Sequence, residues 1–467
     1  MRKSKPLTAE ALAELGADRL AALLLDAAEH DAALARSLRI AVAARDGADS
    51  AATAIDAEIK RLKRGTSLID YQRVPAFARD LSALCAAIEG PLADADPAMA
   101  LERMFDFIDL APRLIERSDD SDGHIGDTIR SASAAAAALA ARAAPALPRE
   151  RAAFRAYQTY LCDDYGVAEG IIAAFAQALD APTRAALCSW IEAELAHLPS
   201  PAAADLATGH LSAWKLISAL ADLADAAGDV DAYCAAQQRL GPRVRDDAGM
   251  ARRLLDAGRA AEAYAIIEGA EPNPAKNKIE LADLRIAALT ELGRSDEAQA
   301  LRWTEFTHGL REAPLRDLLK RLPDFADVAK EQEALSFAAS YPDPHRAPDF
   351  LAAWPDLRRA AAVVEDRLAA IDGDCYWVLG PAAERLEPKE PLAATLLYRK
   401  MIDFTLGRAR SSRYGHAAQH LRNWAWLAQQ VSDWRGHLPH AHYLADLRKQ
   451  HRRKAGSWGR FDNDRPS

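Results

Sequence analysis

Alternating runs of β-branched residues, the mark of a half-buried strand, are missing from these 467 residues. That absence argues against a sheet-built fold and leaves helix as the element able to fill a core. Cysteine is scarce. Cys85, Cys162, Cys188, Cys234 and Cys375 are scattered, odd in number and form no Cys-x-x-Cys pair. A zinc ribbon or a disulfide framework is therefore not expected, and the thiols read as small buried side chains in a reducing compartment. No Gly-x-Ser-x-Gly elbow and no glycine-rich phosphate loop occurs, so no enzyme class is marked and no cofactor is expected. The least polar run, Ser131 to Ala141, is far shorter than the roughly 20 apolar residues that span a bilayer. The basic start, Met1 to Pro6, is followed at once by Glu10, Glu14 and Asp18, which leaves no room for a secretory apolar segment. The expectation is a cytoplasmic chain with no membrane partner.

What the chain does hold is alanine, the best helix former, within a composition that is 50% hydrophobic. Alanine buries little area, so Leu, Phe and Trp must anchor the packing. Thr8, Asp31 and Asp96-Pro97 read as helix starts. Leu34, Leu38 and Val42 recur every four residues, and Met104, Phe105, Phe107 and Ile108 form a core face. Pro75 opens a helix that Gly90-Pro91 should end. Cys375-Tyr376-Trp377 should anchor the last helices. The acidic loop Ser118 to Asp127 fails as a calcium hand. With Gly123 at the sixth position, the twelfth is Ile129 where a bidentate acid is needed. The basic run Ile59 to Ser67 admits two readings: cations opposing a helix C-terminal dipole, or an anionic-ligand patch.

An internal repeat is the clearest organising signal. Leu255-Asp256-Ala257-Gly258-Arg259-Ala260-Ala261-Glu262-Ala263 is echoed by Glu291-Leu292-Gly293-Arg294-Ser295-Asp296-Glu297-Ala298, with the glycines 35 residues apart. Ala227-Gly228-Asp229 is a weaker echo. Over about 211–310 this resembles tetratricopeptide repeats, which implies a glycine turn between two antiparallel helices, a concave groove and no chemistry. The fold class expected is all-α, a solenoid-like array of antiparallel helix pairs of the tetratricopeptide or HEAT kind, with essentially no strand. Proline placement and composition divide it into an N-terminal helical region 1–145, central repeats 149–312, a basic C-terminal cap 313–456 and a disordered tail 457–467.

Charge is polarised. The chain carries −9 in total, yet residues 399–467 hold 14 Lys and Arg against 5 Asp and Glu, so the remainder carries −18. Between the helix Pro391 to Phe404 and a helix starting near Tyr414, Arg408, Arg410 and Arg413 flank Ser411 and Ser412. Guanidinium forks, hydroxyls and helix N-terminal amides suit a phosphate or carboxylate. Internal ion pairs would satisfy the same arginines. His416 and His420 share a helix face with Arg413, but Ala417 stands where a zinc protease needs Glu, so no metal is expected. Trp424, Trp426, Trp434, Tyr443 and Trp458 lie among basic residues, a pattern that can bind single-stranded nucleic acid.

Six segments carry a resemblance over nearly the whole chain. They are Leu20 to Val42, Ser67 to Asp70, Asp119 to Asp127, Pro391 to Phe404, Arg408 to His420 and His451 to Lys454. Together they resemble an uncharacterised bacterial family known as domain of unknown function 6880, which implies an all-helical, repeat-like fold and no activity. The reading for function is a non-enzymatic scaffold with a protein partner. The alternatives are a binder of nucleic acid or another anion through the basic C-terminal region, and an enzyme whose site the sequence does not mark.

Overall fold

The computed structural model describes residues 8–143, 147–198, 210–271, 278–407 and 426–451. They form two compact units, Met1–Lys276 and Asn277–Ser467. Each is an all-α array of packed helix pairs. The one departure among the described residues is an isolated parallel β-bridge between Ile69 and Ser118. No described helix is long and apolar enough to cross a membrane. The tail 457–467 lies outside the described residues.

The first unit centres on helix His124–Ala143. It packs against Pro97–Ile108, Val74–Ala87 and Ile171–Ala178. Small side chains make that possible: Ala132, Ala136, Ala137 and Ala140 are buried, so neighbouring helices approach closely. The larger anchors come from the partners, as Phe105 and Phe175 meet with ring centroids 5.7 Å apart. Helix starts follow the capping rule. Asp31 accepts from Ala33 and Leu34 N–H, and Asp96 from Ala98 and Met99 N–H. Asp120 does the same for Ile125 and Gly126 at the start of His124–Ala143, so the acidic loop is a capped connector.

Three turns repeat one geometry. Gly228, Gly258 and Gly293 have φ of 69°, 72° and 71°. In each, the following N–H reaches back five residues: Asp229 to Ala224 O, Arg259 to Leu254 O, Arg294 to Leu289 O. This is the closure in which a left-handed residue ends a helix. The next helix then starts with the same bidentate pair in two of them, Arg259 on Glu262 and Arg294 on Glu297, at 2.6–2.7 Å.

The second unit packs around Phe306, whose ring lies 5.5 Å from Phe350, 5.4 Å from Trp303 and 6.0 Å from Phe337. Helix Pro391–Gly407 is buried on nearly every face and lies against Tyr376–Leu386 and Leu357–Arg367.

Several expectations need correcting. Gly90-Pro91 does not stop its helix. Val74–Ala87 continues through a π-helical turn, Ile88–Leu92, into Ala93–Ala95, because the wider turn accommodates a proline that has no N–H to give. Val42 is 62% exposed, and Ile40 takes the buried place. Tyr376 and Trp377 do not anchor the last helices. They are exposed, Trp377 at 62%, and sit edge to face with each other. The thiols are free and none is fully buried: Cys162 is exposed and the other four are partly buried.

Candidate functional site

The residues first singled out, Arg408, Arg410, Ser411, Ser412, Arg413, His416 and His420, lie outside the described residues. The helix leading to them does not. On Pro391–Gly407, Arg399 is only 6% exposed. Its guanidinium lies 4.7 Å from the ring centre of Trp434 and 4.5 Å from that of Tyr443, a cation–π arrangement on two rings. The Tyr443 hydroxyl donates to Asp403. Burial pulls Arg399 down to about 10, against the pull of Tyr443 and Asp403. Burial also raises Asp403 above the usual carboxylate range. Burial, then the charge of Arg399, lowers His440. This cluster clamps helix His440–Gln450 to the buried helix. It also covers one face of each of the Trp434 and Tyr443 rings.

Open space lies elsewhere. In the first unit two hollows of about 440 and 330 Å³ share Arg155 and Gln158 and so form one groove. One wall is helix Pro97–Ile108 and the turn after it, with Leu101, Glu102, Phe105, Asp106 and Asp109. The other is helix Arg149–Leu161. The second helix buries Ala153, Ala156, Tyr157 and Tyr160. Phe154, Gln158 and Leu161 fall on its other side. Phe154 is 44% exposed and propped edge-on by Trp190 at 5.3 Å. Arg155 crosses the groove floor above the Phe105 ring and donates to Asp109 at 2.5 Å. Thr159 accepts from Arg155 and donates to Asp109. Asp106 lies 3.6 Å from Arg155. Burial still raises its carboxyl, with Arg155 opposing and Asp109 adding to the rise.

The second unit has a hollow of about 410 Å³ between helices Lys278–Glu291 and Glu312–Lys320. Its charges are matched. The buried Arg302 donates to Asp317, Thr290 and Gln299, and Arg311 grips Asp283 and Glu305. It offers no exposed apolar anchor. No group of three His, Cys, Asp or Glu among the described residues could hold a metal ion.

A family model described as a family of unknown function, DUF6880, matches residues 2–460. The chain belongs to that family. No curated protein matches it.

Two of the segments that first suggested DUF6880 meet in the structure. Ile69 N–H donates to Arg117 O at 2.9 Å, and Asp119 N–H to Ile69 O at 3.0 Å. Tyr71 adds a bond to Asp122 at 2.6 Å. Sequence reading did not find the groove of this DUF6880 chain. The available signal was Phe154, a large ring placed off the face that Ala153, Tyr157 and Tyr160 define.

Proposed function

We propose that the chain is a non-enzymatic helical scaffold that holds a protein partner in the groove beside Arg149–Leu161. The supporting observation is the groove itself. It is continuous across two hollows, carries exposed Phe154 and Leu161, and has three carboxylates on its walls, Glu102, Asp106 and Asp109. Interfaces draw on exposed aromatic anchors set in a polar rim. Burial raises the Asp106 carboxyl despite Arg155, so a further cation brought beside it would favour its ionised form. A partner segment bringing apolar side chains and a Lys or Arg fits both features. Stacked helix pairs offer such grooves because each pair buries its core only against its neighbours.

A photo-crosslinking residue in place of Gln158, on the full chain in its native cells, tests this. The expected product is one protein, joined through a peptide that contains Lys or Arg, and lost when Phe154→Asp is added. Products that persist in the Phe154→Asp chain, or no product at all, would overturn the reading.

A further inference from the structure

Helix Ala48–Arg64 ends in Arg61, Lys63 and Arg64, and Gly65 follows. Arg113 comes from helix Ala111–Glu116, and Arg117 follows directly after it. The bridge between Ile69 and the Arg117–Asp119 backbone brings Arg117 onto the end of the first helix. Its guanidinium lies so close to Gly65 that a Cβ there would collide with it. It also stacks over the Phe77 ring at 5.3 Å.

This guanidinium is short of a counter-charge. Its Nε is buried without an acceptor. Arg61 holds Glu58, but Arg117 and Arg113 form no ion pair among the described residues. Burial lowers the Arg117 pKa most, and the charged neighbours that add to this, Arg113 and Arg61, are both cations. Among the described residues, no Asp or Glu pairs with it or offsets those cations. The helix C-terminus supplies about half a negative charge, less than these arginines carry. A partly buried, uncompensated cation is costly unless an anion joins it. The adjoining loop adds donors. Among the described residues, the N–H groups of Thr66, Ser67 and Leu68 bond to no backbone acceptor, and the Thr66 and Ser67 side chains are exposed.

We propose that Arg117, Arg113 and the loop Thr66–Ser67 form a binding site for a phosphate-class oxyanion, independent of the groove. Two guanidinium forks with neighbouring amide and hydroxyl donors suit a tetrahedral dianion. The second reading of the basic run Ile59 to Ser67 thus gains cations from a different helix. The ligand is either free phosphate or the phosphoryl group of a small monoester.

Calorimetric titration of the full chain with inorganic phosphate, and separately with phenyl phosphate, tests this against sodium acetate at matched ionic strength. Saturable binding of either phosphate is expected, and the tighter of the two identifies the source. Arg117→Gln should weaken it about tenfold or more and Arg113→Gln several-fold, while exposed Lys320→Gln in the second unit changes nothing. Without ligand, Arg117→Gln should melt no lower than the parent, because it removes repulsion. Equal heats for phosphate and acetate would overturn the proposal. So would a parent that binds no phosphate, or an Arg117→Gln chain that melts lower and binds phosphate unchanged.

Discussion

At the scale of single residues, charges left incompletely matched by the fold make the sharpest predictions. Burial pushes the Asp222 carboxyl up to about 6, with Asp225 and Glu169 adding and Arg253 opposing. An unfolded aspartate titrates near 3.9. The folded state therefore binds the proton more tightly, and that stabilisation is complete below about pH 4 and lost as pH rises through about 6. Asp222→Asn keeps a neutral side chain at every pH. It should raise the unfolding free energy at pH 7.5 by about 2 kcal/mol, and the difference from the parent should shrink towards pH 4. Urea titrations of both chains at the two pH values check this, and no gain at pH 7.5 contradicts it. Little at this scale was legible in the sequence. Composition drew attention to Arg408–Arg413, outside the described residues, because those arginines are dense along the chain. Arg117 is conspicuous only in space, where Gly65, Phe77 and Arg113 surround it. Asp222 looks like any acid of an alanine-rich helix until its neighbours are known.

At the scale of elements, local chemistry was legible and tertiary context was not. Asp31, Asp96 and the glycine turns act on their own backbone, so the chain itself announces them. Gly258 and Gly293 sit at positive φ, a region that costs a side chain roughly 1–2 kcal/mol. Gly258→Ala and Gly293→Ala should each lower stability by about 1 kcal/mol. Gly90 is the contrast, lying in the continuous turn Ile88–Leu92 at ordinary φ with open space where a Cβ would go. Gly90→Ala should raise stability by about 0.5–1 kcal/mol. The same substitution thus acquires opposite signs, and thermal melts of the three variants read them directly. A stable Gly258→Ala chain would contradict the shared turn geometry. Where the sequence misled, the deciding partner was distant. Gly90-Pro91 has the local look of a stop, but burial of Ile88, Leu92 and Ala93 carries the helix past it. Tyr376 and Trp377 have the look of core, but both stay exposed.

At the scale of the whole molecule, the all-helical class was legible because periodicity and alanine content are properties of every segment. The groove was not, since its two walls come from helices about fifty residues apart. The core likewise follows tertiary grouping, with one buried cluster from Ile40 to Met250 and another from Phe306 to Leu447. Separate clusters predict separate unfolding steps, since each compact unit loses its own buried surface. The probes can be told apart. Seven of the nine tryptophans lie beyond residue 277 and two, Trp190 and Trp214, before it. Fluorescence therefore weights the second unit, whereas far-ultraviolet circular dichroism weights both. In urea the two signals should trace different curves. Phe306→Ala removes a fully buried ring, a loss of about 3–5 kcal/mol, and should move the fluorescence midpoint to lower urea. Asp222→Asn should leave that midpoint in place and shift the remaining part of the dichroism curve upward at pH 7.5. If both signals coincide in the parent and move together in both variants, the chain unfolds as one cooperative body and the two clusters are a single energetic core.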